Sequence, residues 1–484
     1  MPRPNSGGAA TARRRPRPSH HRRASAPGQH QARTAPPRIS ALEALLDEAA
    51  AQPAPAPRDF AQLGLPAPLV TTLARRGFSA PFAIQTRALP DALAGRDVLG
   101  RAQTGSGKTL AFGLAVIARL HSGDRPKPAT APRALILAPT RELANQVADE
   151  LAPLAHSLDL RVAPVYGGAP MGRQIDRLRR GVDILVATPG RLQDIIEQKV
   201  ATLAHIEITV LDEADHMADL GFMPAVTKLL DMTPAGGQRL LFSATLDRGV
   251  DRLAQRYLTD PAAHAVASSR AQVDTMDHRV FTVKAEDKVA VASAIAARPA
   301  RSLFFVRTKH GADRLAKQLS RSGADAVAIH GNLNQNQRER ALRAFTTGHS
   351  RVLVATDVAA RGIHVDDVDL VVHFDPPNDH KDYLHRSGRT ARAGATGTVL
   401  SLVEPTQLRD VEKLHAQAAV TTTTSRVDGI GHADVVALAT SGEPIVVEGP
   451  PPAAPGAQPA RRPRSATPRR GGVQHGRGRE RRRA

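Results

Sequence analysis

The sequence predicts an α/β protein, two tandem parallel-sheet domains set between disordered basic arms. Three observations predict it. Short apolar runs rich in β-branched residues recur through the middle of the chain and alternate with amphipathic stretches such as Asp313 to Arg321, the pattern of strand-helix-strand units. A glycine-rich loop follows one such run and opens into the apolar helical stretch Leu110 to Leu120. The charge gathers at the ends: residues 1–38 hold nine Arg and no acid, residues 455–484 hold ten Arg against Glu480, and the whole chain is +20.

In order along the chain, residues 1–57 read as an Arg- and Pro-rich arm with a short helix at Ile39 to Ala51, whose apolar face is Ile39, Leu42, Leu45 and Leu46. Residues 58–262 form the first domain, with core strands at Asp97 to Gly100, Ala134 to Ala138, Asp183 to Ala187, Ile208 to Leu211 and Leu240 to Ser243. A linker over 263–279 is expected where the periodicity lapses. The second domain, 280–416, carries strands at Ser302 to Val306, Val327 to His330, Val352 to Ala355, Leu370 to Phe374 and Val399 to Val403. Residues 417–484 give no assignable pattern before an Arg/Gly-rich tail. Both arms are rich in Pro, Gly, Ser and Ala and poor in large apolar residues, so burial cannot offset the entropy of ordering them.

Composition bounds the function. The 484 residues suffice for two cores, and the lack of Cys excludes a disulfide framework or thiolate metal site. No apolar run approaches the roughly 20 residues that span a bilayer, and the start lacks the apolar stretch of a secretory signal, so a cytoplasmic, membrane-free protein is expected. Arg and Ala outweigh Lys and there is no Trp, a bias expected of a GC-rich bacterial source. Free polycationic arms bind polyanions by counterion release, and the Arg-Gly pairs near Gly476 to Arg479 suit single-stranded RNA.

The chemistry sits in four strings. In the first, Ala102, Gln103, Thr104, Gly105, Ser106, Gly107, Lys108 and Thr109 form a phosphate loop. Its glycines let backbone amides curl around anionic oxygens, Lys108 reaches the β and γ phosphates, and the Thr109 hydroxyl can ligate Mg²⁺. In the second, the run Ile208 to Leu211 delivers Asp212 and Glu213 at a strand's carboxyl end, where open α/β sheets bind ligands. Asp212 can hold Mg²⁺, and Glu213 can orient or deprotonate an attacking water. The third string is Ser243 to Thr245. The fourth holds Arg386 and Arg389, too far along the chain for one nucleotide fold, which read as arginines that meet a γ phosphate when two domains close. Singly these are a flexible loop, solvated acids and a basic face; in this order they point to ATP hydrolysis.

With Asp212-Glu-Ala-Asp215 spelled out, the chain from about Phe60 to Leu414 resembles the DEAD-box ATP-dependent RNA helicases of bacterial type. The resemblance implies two RecA-like domains, ATP and Mg²⁺ as cofactors, and ATP hydrolase activity. Phe60, Gly77, Phe78, Pro81, Ile84 and Gln85 are similar to the adenine-reading Q motif, which implies that Phe60 stacks on the base and Gln85 bonds its edge. It implies RNA contacts at Thr140, Arg141, Gly168, Thr188, Gly190 and Arg191 in the first domain, and at Gly331, Gln335, Arg338 and Thr356 in the second. Ser243, Thr245 and His385 fall in segments that couple hydrolysis to strand separation.

The chain departs from the pattern at Phe82, where Ser or Thr is usual, at Ser387 and Ala391, and at His364, which stands where an aspartate normally bonds the ribose. The function implied is local, non-processive opening of RNA duplexes or remodelling of RNA-protein particles by a monomer. Single-stranded and duplex RNA are the expected ligands, with ribosomal or degradosome-type particles as partners. An RNA annealer in which the basic arms dominate and the ATPase times release is the alternative, and a DNA helicase a weaker third.

Overall fold

A computed structural model describes residues 40–53, 56, 58–102, 105–122, 131–266, 276–360, 368–391, 396–445 and 447. Residues 40 onward form one compact unit that contains two sheets.

The first sheet is built from β1 (Val98–Arg101), β2 (Ala134–Leu137), β3 (Val162–Val165), β4 (Ile184–Ala187), β5 (Ile208–Asp212), β6 (Gln238–Ser243) and β7 (Ala262–Ala265). All pairings are parallel, in the order β3-β4-β2-β5-β6-β1-β7. The second holds β8 (Met276–Thr282), β9 (Ser302–Phe305), β10 (Ala326–Ile329), β11 (Val352–Ala355), β12 (Leu370–His373), β13 (Gly397–Val403) and β14 (Thr423–Arg426), again parallel, in the order β10-β11-β9-β12-β13-β8-β14. Strand for strand the two orders are the same, so the lobes share one topology.

Strand periodicity explains why both faces are dry. Along β2, Ala134 and Ile136 enter the core on one side of the sheet, while Leu135 and Leu137 enter the other. In the second lobe Phe304 and Leu303 divide in the same way. Helices cover both faces, several with side-chain caps: Thr140 Oγ1 accepts from the Leu143 amide at the start of Arg141–His156, and Asp247 Oδ1 from Gly249 and Val250 at the start of Arg248–Tyr257.

The lobe boundaries differ from the sequence reading at three places. The helix Ala41–Ala51 is not part of a free arm, because Leu46 and Ala49 enter the first-lobe core. Arg87 fixes its end, donating to the carbonyls of Gln52 (2.8 Å), Pro53 (3.0 Å) and Ala265 (3.0 Å). The span expected as linker takes in all but the first residue of β7 and the start of β8. Beyond residue 416 the second lobe continues through β14 and the helix Ala433–Ala439, which packs Val435 and Leu438 into the core. The arms, residues 1–39 and 448–484, lie outside the described residues.

Candidate nucleotide site between the lobes

The loop after β1 is tied to β6 by the Ala102 amide, which donates to the Ser243 carbonyl (3.1 Å). Gly105 and Gly107 both sit at φ +86°, a left-handed conformation that side chains disfavour, which is why the loop uses glycine there. The helix Lys108–Ser122 then starts, with Lys108 buried and its Nζ lacking a hydrogen-bond partner among the described residues. Asp212, at the carboxyl end of β5, has an Oδ1 that is likewise buried and unpartnered among them. Two orphaned groups of opposite charge at a helix N-terminus fit a phosphate chain and its cation.

The paired acids are pulled apart electrostatically. Burial pushes the Asp212 carboxyl up to about 7, against the pull of Lys108. Burial acts upward on Glu213 as well, but the hydrogen bond and charge of His216, with Lys108 and Arg389 beyond, hold it down at about 2. His216 Nδ1 lies 3.2 Å from Glu213 Oε2. Glu213 itself takes φ +51°, the left-handed turn that starts the helix Ala214–Asp219. His216 escaped the sequence reading, although its spacing three residues beyond Glu213 was a visible signal.

A cavity of about 860 Å³ opens over the loop. The first lobe lines it with Gly105, Gly107, Lys108, Thr109, Asp212 and Glu213, and the second with Gln335, Glu339, Leu342 and Thr346. Beside it, Lys108, Glu213, Asp215 and His216 share a smaller recess with His385 and Arg389 of the second lobe. Behind the acids, Asp215 Oδ2 accepts from both the amide and the hydroxyl of Thr245, and the Asp215 amide donates to Ser243 Oγ (3.2 Å). Both residues of the expected coupling segment therefore bond the last residue of the acidic string.

Other sequence-derived candidates fall elsewhere. Arg386 does not point into the recess: it is 2% exposed, its Nη2 lies 2.8 Å from Asp357 Oδ2, and its Nη1 donates to the Asp375 carbonyl (2.7 Å). Its role as a γ-phosphate arginine is corrected to that of an ion-paired residue that anchors the helix His380–Ser387. Phe60 is 3% exposed within the first-lobe core and is not part of the cavity wall, so it offers no face to a base. Gln85 bridges the Phe82 amide (2.9 Å) and the Gly107 carbonyl (3.0 Å). Gln103, Thr104 and His364 lie outside the described residues. Ala391, where a glycine is usual, keeps φ +54°.

Among the expected RNA contacts, Thr140 spends its hydroxyl as a helix cap. Arg141 and Arg191 hold the backbone around Gly168 from two sides, donating to the carbonyls of Gly167 (3.5 Å) and Ala169 (3.1 Å). Thr188 and Gly190 flank Pro189 at the start of the helix Pro189–Glu197, with Gly190 exposed. In the second lobe Gly331 is exposed, Thr356 is buried, and Gln335 faces the cavity. Arg338 is paired across the lobes with Glu142 (2.8 Å), a partner that the sequence did not single out. Among the described residues no cluster of three or more His, Cys, Asp or Glu is arranged to hold a metal, and no helix is long and apolar enough to cross a membrane.

A phosphate loop, a pair of strand-end acids and an arginine supplied by a second lobe of the same topology define a two-lobed, RecA-like nucleotide-binding protein. Residues 82–253 match the DEAD/DEAH box helicase family and residues 287–394 the helicase conserved C-terminal domain. Among its relatives, ATP-dependent RNA helicase DBP2 of Scheffersomyces stipitis is 41% identical over 348 residues, 71% of this chain and 66% of that protein. DEAD-box ATP-dependent RNA helicase 9 of Oryza sativa is 39% identical over 359 residues, 73% of this chain and 56% of that one. The fold matches S. cerevisiae Dbp5 bound to RNA and ADP BeF3 with a TM-score of 0.68 and 29% identity, over 76% of this chain and 96% of that structure. The chain belongs to the DEAD/DEAH box helicase family. It spans 56–66% of the length of these two curated relatives.

Proposed function

We propose that this chain is an ATP-dependent RNA helicase that couples ATP binding and hydrolysis to local duplex opening or to remodelling of RNA-protein particles. The observation that carries the reading is the recess in which Lys108 and Glu213 of one lobe meet Arg389 of the other. Lys108 binds the terminal phosphates of the nucleotide. Glu213, kept ionised by the hydrogen bond and charge of His216, orients or deprotonates the attacking water. Arg389, arriving from the second lobe, spreads the charge that builds on the transferred phosphoryl group. Mg²⁺ entering with the triphosphate would be held by Asp212 and Thr109 and would neutralise phosphate charge.

The Arg141 and Arg191 cluster around Gly168 supports an RNA path that touches backbone phosphates and reads no sequence. His364 we assign to the ribose side of the nucleotide, in the place of a carboxylate. The reading extends to a cytoplasmic, monomeric enzyme acting on ribosomal or degradosome-type particles; Arg and Ala usage supports a GC-rich bacterial source, and the basic tails support RNA as the ligand.

The test is phosphate release with and without single-stranded RNA, together with release of a short RNA duplex with and without ATP. Strong stimulation by RNA and ATP-dependent release are expected. Lys108→Ala should lose nucleotide binding, while Glu213→Gln should bind ATP and RNA but not turn over. Duplex annealing that ignores ATP would favour the annealer instead.

A further inference from the structure

The helix Met171–Arg179 and its C-terminal cap carry Arg173, Arg177, Arg179 and Arg180 against a single acid, Asp176. All four arginines are exposed, and among the described residues none of their guanidinium groups has a hydrogen bond or an ion pair. The buried arginines Arg133, Arg298, Arg338 and Arg386 are by contrast each held by a carboxylate. At 3.6 residues per turn, Arg173, Arg177 and Arg180 fall on one face and span about 10 Å of helix. Gln174 and Leu178 are buried on the other side.

The place of this row is fixed by Gln174. Its Oε1 accepts from the Tyr166 amide (3.0 Å) and its Nε2 donates to the Tyr166 carbonyl (3.1 Å), so the helix is clamped to the residue just ahead of Gly167. The short loop between them is the one that Arg141 and Arg191 hold from two sides. The row of bare charges therefore continues from the expected path of the RNA backbone at Gly168. The helix has no aromatic side chain, so it offers no platform to unstacked bases.

We infer that Arg173, Arg177 and Arg180 hold the phosphate backbone of the duplex part of the RNA, beside the single-strand path at Gly168. This rests on the reading of the chain as an RNA helicase. Duplex RNA keeps its bases stacked inside and is gripped through its phosphates and shape, which a rigid row of guanidinium groups suits; a single strand draws much of its affinity from stacking on aromatics.

The experiment measures, across a range of salt, the binding of a blunt RNA duplex and of a short single strand with a non-hydrolysable ATP analogue. It compares the unaltered chain with three triple variants: Arg173→Gln with Arg177→Gln and Arg180→Gln; Arg173→Lys with Arg177→Lys and Arg180→Lys; and, on the helix Arg248–Tyr257, Arg248→Gln with Arg252→Gln and Arg256→Gln. The first should lower the log-log salt slope for the duplex by about 2.7, roughly 0.9 for each of three phosphates, and leave the short strand's affinity in place. The lysine variant should keep duplex affinity, since an ammonium still serves a phosphate as a point charge. The third variant should leave the duplex slope unchanged. A duplex slope that ignores the first variant overturns the inference alone. An equal loss for the short strand also overturns it, since the row would then extend the single-strand path, and so does an equal loss in the third variant, which would reduce the effect to net charge. An unaltered chain that binds neither RNA overturns the helicase reading and the inference with it.

Discussion

Thr245 places both of its donors on one oxygen of Asp215: the amide and the hydroxyl each lie 2.9 Å from Oδ2. With Ser243 Oγ accepting from the Asp215 amide, the end of β6 is bonded to the turn that carries Glu213. These bonds tie the segment after β6 directly to Asp215, two residues from Glu213. Thr245→Val deletes one of the two bonds and leaves the amide in place, a loss of about 1 kcal/mol. ATP turnover should persist in that variant while duplex release per ATP falls; an unchanged ratio of the two rates would show that the hydroxyl carries no coupling.

Arg386 makes a second prediction, and it separates an anchoring role from a catalytic one. The guanidinium bonds both Asp357 oxygens, and its carbon lies 5.1 Å from the centre of the Phe305 ring. Removing Arg386 strands the partly exposed Asp357 carboxylate and deletes its charged hydrogen bonds, so Arg386→Ala should cost the second lobe about 1.5–3 kcal/mol. Arg386→Lys should not rescue it, because an ammonium cannot match the two-pronged geometry. Urea unfolding reads the result. Lost ATP turnover with unchanged stability would return Arg386 to the phosphate.

Much of this architecture is legible from the chain alone, and the exceptions share a cause. The central strands announce themselves because both faces are buried, as in Ile208 to Leu211. Other strands are uneven: the edge strand β10 is apolar and readable, but β14 is Thr-Thr-Ser-Arg, largely exposed, β3 carries Pro164, which only an edge tolerates, and the inner β8 carries the polar run Asp277, His278, Arg279. The phosphate loop and the acidic string are equally plain, since their chemistry resides in residues adjacent along the chain. What sequence could not show was which of two nearby arginines faces the recess. Arg386 and Arg389 are both buried and stand three residues apart, and only Asp357, brought in from another segment, decides that Arg386 is engaged elsewhere. Phe60 fails for a similar reason, because core packing, not residue type, fixes its exposure.

The tails supply a third prediction. Each carries nine net positive charges, so together they account for nearly all of the chain's +20. Deleting residues 1–38 and 455–484 should flatten the dependence of RNA affinity on salt, by about 0.7 in log-log slope for each phosphate of a single strand that is no longer neutralised. Turnover at saturating RNA should hold, because the proposed catalytic residues Lys108, Asp212, Glu213 and Arg389 all lie between the tails. An unchanged slope after truncation would show that the tails do not touch phosphate.

A cluster of histidines in the second lobe makes its stability acid-sensitive. Tyr383, on the helix that carries Arg386, is packed edge-on against His373 (4.9 Å between ring centres) and His415 (4.7 Å), and its hydroxyl lies 2.7 Å from His278 Nδ1. Burial, with the charges of Arg386, His415 and His278, holds His373 well below its ordinary 6.5, and burial with His278 brings His415 down to about 4. The folded lobe thus keeps both rings neutral, whereas the unfolded chain takes up protons near 6.5. Stability from these groups is full above that value and is lost as pH falls from about 6.5 toward 4, where the unfolded state binds the extra protons. The urea midpoint of the unaltered chain should decline over that window, and His415→Gln, which removes one of the titrating rings, should decline less steeply. Parallel pH profiles for the two proteins would show that His415 is not held neutral by the fold.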